Sequence, residues 1–226
     1  METTPRRLPW LTLGLAVIAS ALLAFPEAAS ALELDRSAFQ QAQLWRIWTG
    51  HLTHYGLSHG TWDVAMLLVL GGAMESGALG VAPLRRRSLT QLWLWSGAAI
   101  SVAVVVLQPT LDRYRGLSGI DSALYAWLCA SLLQQGARDR RPATVALSLL
   151  ALLGFVGKSL FEQLHQSTLF VDSLHAGFQP VPLAHLVGAV VGLLGVALST
   201  RPAPVPRQPG RTPRAPDGPD GMAYFS

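Results

Sequence analysis

The 226-residue sequence has little charge, a single cysteine and a single lysine. Charged residues make up 13% of it, about half the share found in soluble domains, whereas 50% of the residues are hydrophobic and the mean hydropathy is +0.35. This balance excludes a disordered chain and most water-soluble folds. Because Cys129 is the only cysteine, a disulfide scaffold is excluded as well. The composition predicts an integral membrane protein.

Long apolar runs account for the low charge. A helix that crosses a bilayer needs about 20 mostly apolar residues, and the stretches that meet this requirement lie at about 9–26, 61–80, 91–108, 117–135, 143–162 and 181–199. The sequence therefore predicts an all-α membrane protein, with a six-helix membrane domain in residues 1–200. Residues 201–226 are rich in proline and lack apolar periodicity, which predicts a disordered cytoplasmic tail.

The arginines predict the orientation of the spans. Twelve of the 17 basic residues fall on one side of the six-span arrangement: Arg6, Arg7, Arg85, Arg86, Arg87, Arg138, Arg140, Arg141, Arg201, Arg207, Arg211 and Arg214. The other side has Arg36, Arg46, Arg113 and Arg115, with Lys158 near a span end. By the positive-inside rule both termini are cytoplasmic, as expected for a multi-pass protein of a bacterial inner membrane. The pI near 9.8 then reflects topology and not a surface for nucleic acid.

The N-terminal segment has two interpretations. Arg6 and Arg7, an apolar run and the sequence Ala29-Ser30-Ala31 fit a secretory signal with its cleavage site. The apolar run of about 17 residues is long for such a signal, which favours an uncleaved first span.

Polar groups inside the predicted spans gather at one depth. The second, fourth and sixth spans cross the membrane in the same direction, so their first turns lie at the same level. At about 1.5 Å per residue, this places within about 10 Å of the external surface the residues His59, Asp63, Ser118, Asp121 and His185. Ionisable groups are costly in a bilayer, so this layer is the candidate functional site.

Ser118 and His185 are the candidate catalytic pair. Ser118 stands between Gly116 and Gly119 at a predicted helix N-terminus, where free N–H groups stabilise an oxyanion. A serine nucleophile needs a base within hydrogen-bond reach, and His185 is the only histidine well inside a span at that depth. Taken singly, Ser118 also fits a helix cap and His185 a packing residue. Their shared depth favours catalysis.

Two glycines follow His185 at helical spacing. Gly188 and Gly192 form a G-x-x-x-G face, which lets two helices pack at close range. Helix packing alone explains this face. Close packing would also bring the imidazole of His185 onto Ser118, and both interpretations are compatible.

The order and spacing of five motifs resemble the rhomboid family of intramembrane serine proteases. The motifs are Trp45-Arg46, then His54, His59 and Asp63 in the pattern H-x(4)-H-x(3)-N, Gly71-Gly72 with Glu75, Gly116-Leu117-Ser118-Gly119 as G-x-S-G, and Ala184-His185 with Gly188 and Gly192. The resemblance covers about residues 40–199. It implies a six-helix rhomboid-like bundle with cofactor-free serine endopeptidase activity.

The resemblance also implies roles for single residues. Ser118 would be the nucleophile and His185 its base, in a dyad without a carboxylate that orients the base. An oxyanion hole would comprise His59, the Ser118 N–H and the position of Asp63. The supporting residues would be Gly116, Gly119, Asp121, Ser122, Gly188 and Gly192.

Two residues depart from the family pattern. Asp63 replaces an asparagine, and Ser122 stands where a tyrosine usually stacks on the base. An ionised carboxylate accepts hydrogen bonds and donates none. Either Asp63 is protonated, or it orients His59 while other groups donate to the oxyanion.

Residues 116–124 together with Asp63 resemble the rhombosortase-type group. This resemblance implies processing of secreted proteins whose C-terminal tail carries a small-residue motif such as Gly-Gly, a span and a basic end. The expected partners are single-span membrane proteins and the lipid bilayer, with no nucleic acid. Two alternatives are a catalytically inactive rhomboid-like protein that binds client helices, and a small transporter or channel.

The remaining polar residues have structural interpretations. Lys158 and Glu162 are spaced i,i+4 in the fifth span, which favours an ion pair over a contact at a substrate gate. Glu75 is predicted to be structural. No tight metal-ligand spacing, and hence no metal site, is predicted for His51, His54, His165 and His175.

Overall fold

The computed structural model describes residues 8–78, 84, 86–165 and 181–199. The predicted tail, residues 201–226, and His175 lie outside the described residues. The long helices are α1 (Trp10–Ala24), α5 (Leu57–Ser76), α6 (Arg86–Leu107), α7 (Ser118–Arg138), α8 (Pro142–His165) and α9 (Pro182–Ser199). The short elements are α2 (Pro26–Leu32), β1 (Leu34–Asp35), α3 (Arg36–Gln40), α4 (Arg46–Thr49), a 3-10 helix (Gly50–Leu52) and β2 (Arg113–Tyr114).

Each predicted apolar stretch coincides with one long helix, but the helices differ in their fitness to cross a membrane. Residues Arg87–Leu107 of α6, all of α8 and all of α9 are long and apolar enough. Helix α1 reaches the required length only together with α2, from which it is bent by 117°. Helices α5 and α7 have sufficient length, but they carry the polar residues of the predicted layer. Within the described residues, three or four helices can thus be identified as membrane spans. The predicted count of six spans is not established.

Helix α8 has a polar buried face and an apolar exposed face. Its buried residues are Ser148, Ser159 and Glu162. Its exposed large side chains include Leu147, Leu150, Leu153, Leu160 and Leu164. Water-soluble helices have the opposite arrangement, with the apolar face inward. Helix α8 is therefore suited to a lipid environment.

The G-x-x-x-G face of α9 packs directly on the backbone of α7, as predicted. A Cβ atom at Gly188 would clash with the carbonyl oxygen of Gly119, and one at Gly192 would clash with that of Ala123. Of all pairs of elements, α7 and α9 make the most extensive contact. The small residues therefore fix the distance between the helices that carry Ser118 and His185.

Glu75, near the C-terminus of α5, caps the N-terminus of α1. Its carboxylate accepts hydrogen bonds from the backbone N–H groups of Leu11 (3.2 Å) and Thr12 (3.0 Å), and from the Thr12 hydroxyl (3.0 Å). A carboxylate is favoured there by the positive end of the helix dipole. The predicted structural role of Glu75 is confirmed.

Arginines join the loops near the N-terminus of α7. Strands β1 and β2 pair antiparallel, with Leu34 opposite Tyr114. Arg115 forms an ion pair with Glu33 and lies over the Tyr55 ring, 5.3 Å from its centroid. Arg36 donates to three carbonyl oxygens at the end of α6 and just beyond it, those of Val105, Gln108 and Leu111. These bonds anchor the chain that leads into Ser118.

The close contact of α7 and α9 predicts that a glycine-to-alanine substitution destabilises the protein at this contact and not on an open helix face. Because the Cβ of Gly192→Ala meets rigid backbone, we expect this variant to lower the free energy of unfolding by about 1–3 kcal/mol. Gly157→Ala in α8 is the matched control, since nothing lies within 4 Å of its added Cβ. That control is expected to be neutral or stabilising. Thermal unfolding in detergent measures both, and equal losses would contradict the packing described.

Candidate active site

A cavity of about 710 Å³ lies among α5, α7, α8 and α9. All five polar residues of the predicted layer line it: His59, Asp63, Ser118, Asp121 and His185. Apolar side chains such as Met66, Leu150 and Phe155 form much of the remaining wall. The structure therefore brings the predicted residues together at one end of the bundle, where α5, α7 and α9 begin.

Ser118 is the first residue of α7, and Leu117 occupies the N-cap position. The alternative in which the Ser118 hydroxyl caps its own helix is therefore wrong, because no side-chain cap bond is present there. Gly116 turns the chain into the helix with a φ of +126°. A Cβ at Gly116 would lie 3.0 Å from the His59 ring and 3.2 Å from Asp63 Oδ2. Both its conformation and its surroundings therefore require glycine.

One oxygen of Asp63 is surrounded by nitrogen atoms. Asp63 Oδ2 accepts hydrogen bonds from the backbone N–H groups of Leu117 (2.9 Å) and Ser118 (3.2 Å). The Nε2 atoms of His54 and His59 lie 3.2 Å and 3.4 Å from the same oxygen. Asp63 thus caps α7 from α5, and the residue is only 6% exposed. In this arrangement Asp63 Oδ2 is a hydrogen-bond acceptor.

Two tyrosines outside the spans border the cavity. The Tyr55 ring is stacked on His59 with 6.5 Å between ring centroids, and its hydroxyl donates to the Arg113 carbonyl. Burial, with a contribution from Glu33, raises the pKa of Tyr55 to about 12. Burial, followed by the charge of Asp63, raises the pKa of Tyr114 as well. Both phenols therefore stay protonated at neutral pH.

His51 holds the segment before Ser118 against α6. Its ring lies between the carbonyl oxygens of Gly116 (3.3 Å from Nδ1) and Gly97 (3.0 Å from Nε2). Burial lowers the pKa of His51, which is fully enclosed. The sequence predicts no role for His51, because its partners, which include the Ser101 hydroxyl, are distant in the sequence.

His185 lies in the first turn of α9 and faces the cavity. No hydrogen bond joins its ring to the Ser118 hydroxyl, although both residues line the same space. Its Nδ1 atom is 3.6 Å from Glu162 Oε2. The ion pair predicted between Lys158 and Glu162 is confirmed, with 2.6 Å between Nζ and Oε2.

The proximity of Glu162 to His185 was missed in the sequence analysis. Glu162 stands one turn before the end of α8, and His185 stands one turn after the start of α9. Both residues lie one turn from the same end of the bundle, and this shared level is the sequence signal that could have indicated their proximity.

Asp121 and Ser122 occupy the first turns of α7. Asp121 is 6% exposed, and its carboxylate oxygens make no hydrogen bond with the described residues. The Ser122 hydroxyl donates to the Ser118 carbonyl oxygen (2.7 Å), one turn earlier in its own helix. Within the described part of the chain, no group of three or more His, Cys, Asp or Glu residues is arranged to hold a metal ion.

Comparison with known families agrees with this geometry. The family model of the rhomboid domain matches residues 41–201, more than two thirds of the chain. The protein therefore belongs to the rhomboid family, whose members are intramembrane serine proteases. No curated protein matches the chain.

The bonds of Asp63 predict a difference between two substitutions. Asp63→Leu would leave the buried N–H groups of Leu117 and Ser118 without an acceptor, so we expect the free energy of unfolding to fall by about 1–3 kcal/mol. Asp63→Asn retains one acceptor oxygen and should lose less. Thermal unfolding of both variants in detergent measures the difference. Equal stability of the leucine and asparagine variants would show that the cap does not support the fold.

Proposed function

We propose that this protein is an active serine endopeptidase that cleaves single-span membrane proteins near the external face of a bacterial inner membrane. Ser118 is the nucleophile and His185 the general base. The observation that carries the proposal is the presence of both residues in one cavity, at the N-terminus of α7, in a chain of the rhomboid family. No cofactor is needed for this chemistry.

The reaction is acyl transfer. The Ser118 hydroxyl attacks the scissile carbonyl while His185 accepts its proton, and His185 then protonates the leaving amine. Water resolves the acyl-enzyme with His185 as the base. The absence of a hydrogen bond between the two residues is compatible with this role, because catalytic contacts often tighten only when substrate is bound.

The nitrogen atoms around Asp63 Oδ2 support an oxyanion-binding role for this position. Two backbone N–H groups and two imidazoles approach a single negative oxygen there. The substrate oxygen would replace Asp63 at the Ser118 N–H and take a second bond from His59. Asp63 itself orients His59, one helical turn away, and donates no bond.

The cavity wall supports a membrane-embedded substrate. Met66, Leu150 and Phe155 line it, and Leu150 is also largely exposed on the lipid-suited face of α8. A substrate helix would enter sideways and unwind at small residues to present its peptide bond. Cleavage of a C-terminal tail with a Gly-Gly-type motif, as in the rhombosortase-type group, fits this entry, and Asp63 and Asp121 of that resemblance both line the cavity.

The six-span topology, with both termini cytoplasmic, belongs to the same proposal. It places the cavity near the external surface. All four arginines predicted on that side are held by carbonyl or carboxylate oxygens, namely Arg36, Arg46, Arg113 and Arg115. Such fixed partners explain why arginines are present on the side that is otherwise poor in basic residues.

A second candidate function is an inactive rhomboid-like protein that binds client helices. The observation that favours it is the bond between Asp63 and the Ser118 N–H, since this carboxylate occupies a donor that an oxyanion would need. Labelling and cleavage assays separate the two candidates.

The protease function predicts that a fluorophosphonate probe labels the full-length protein in detergent. Labelling is expected to be lost in Ser118→Ala, because the probe reacts with an activated serine. Ser76→Ala is the matched control, since that hydroxyl donates to its own helix at the far end of α5. Co-expression with a protein bearing a Gly-Gly-type tail should give cleavage with the wild type and not with Ser118→Ala. Absence of both labelling and cleavage in the wild type would contradict the protease function.

The assignment of Asp63 predicts the effect of the family's residue at this position. Asp63→Asn removes a negative charge next to the developing oxyanion and adds an N–H donor. We expect its labelling rate to equal or exceed that of the wild type, whereas Asp63→Leu should fall by about tenfold or more. Labelling of Asp63→Asn together with no labelling of the wild type would support the inactive candidate.

A further inference from the structure

The geometry points to Glu162 as a positioning residue for His185, so that the site operates as a carboxylate, an imidazole and a serine and not as a dyad. This inference rests on the proposed function. Glu162 is given no bond-making role in the reaction. It acts through His185 by orienting the ring and by stabilising the imidazolium that forms during proton transfer.

The position of the carboxylate fits this role. Glu162 Oε2 lies 3.6 Å from Nδ1 of His185, and no other carboxylate of the described residues lies within 4 Å of this ring. A carboxylate at Nδ1 fixes the proton on that nitrogen and leaves Nε2, on the opposite side of the ring, to exchange a proton with Ser118. The distance is longer than a hydrogen bond, and catalytic contacts often tighten only when substrate is bound.

The burial of Glu162 indicates that its carboxylate has a function at this position. Glu162 is 1% exposed on a helix whose other buried residues are Ser148 and Ser159. An ionised group in an apolar segment is costly unless it is paired. A leucine at this position would avoid the cost. The burial of Glu162 is therefore explained by its pairing with Lys158 on α8 and by its proximity to His185 on α9.

Lys158 fixes the carboxylate in place. Its ammonium lies 2.6 Å from Oε2, the same oxygen that faces His185. One oxygen thus lies between an ammonium and an imidazole. When His185 accepts the proton of Ser118, the carboxylate lies between two cations and stabilises the new charge.

Other charged and titratable groups line the same cavity as His185. They are His59, Asp63, Asp121 and Arg115, together with the phenols of Tyr55, Tyr114 and Tyr125. Asp63 is already held by two backbone N–H groups and approached by two imidazoles. Glu162 is therefore the carboxylate whose removal should affect the orientation of His185 most directly.

The test is the kinetics of fluorophosphonate labelling in the full-length protein, measured as the maximal labelling rate and the apparent affinity for the probe. Glu162→Gln removes the carboxylate charge and is expected to lower the maximal rate by about tenfold or more with the apparent affinity unchanged, because a base that is not oriented affects the chemical step and not binding. Glu162→Asp keeps the charge and should retain most of the wild-type rate.

The controls separate this inference from a structural ion pair. Glu27→Gln removes one exposed carboxylate on α2 and should match the wild type in labelling rate and apparent affinity. Thermal unfolding identifies any variant that fails to fold, and if Glu162→Gln does not fold, the rate of the folded Glu162→Asp decides. An unchanged maximal rate in a folded Glu162→Gln, or a loss of about tenfold or more in a folded Glu162→Asp, would overturn the inference while leaving the protease function intact. No labelling of the wild type would overturn both.

Discussion

The N-terminus of α7 depends on a carboxylate supplied by another helix. Asp63 on α5 accepts hydrogen bonds from the N–H groups of Leu117 and Ser118, and the absence of a side chain at Gly116 leaves room for its carboxylate. A helix end buried in an apolar environment would otherwise leave donors unsatisfied, at a cost of about 1–3 kcal/mol. The same bonds set the position of Ser118, so the stability of the fold and the geometry of the site have a common origin.

The second constraint is the contact between α7 and α9. Side chains cannot fill the space between these helices, because the backbone oxygens of Gly119 and Ala123 lie against Gly188 and Gly192. Lipid tails are as apolar as leucine, so close backbone packing replaces the hydrophobic effect as the source of helix association. This contact brings the first turn of α9, with His185, next to the first turn of α7.

Periodicity and charge were sufficient to predict the positions of the long helices and the polar layer. Alternating span direction placed His59, Ser118 and His185 at one level, and the structure has them around one cavity. What the sequence did not reveal depends on contacts between distant backbone atoms, as with His51, or on the direction of a side chain, as with Asp63 and Glu162. Spacing within a helix predicts the pair of Lys158 and Glu162, but it does not reveal a partner on the next helix.

Two carboxylates of the site, those of Asp63 and Glu162, already have partners in the protein. Asp63 faces backbone N–H groups and two imidazoles, and Glu162 faces an ammonium and an imidazole. In a low-dielectric setting, donors left open for an oxyanion would be costly in the resting state. Under the proposed protease function, a substrate carbonyl that enters beside Ser118 would have to compete with Asp63 for its donors. A chain held in place by the rest of the cavity would supply the binding energy for that exchange, and recognition of the substrate helix would then be coupled to catalysis.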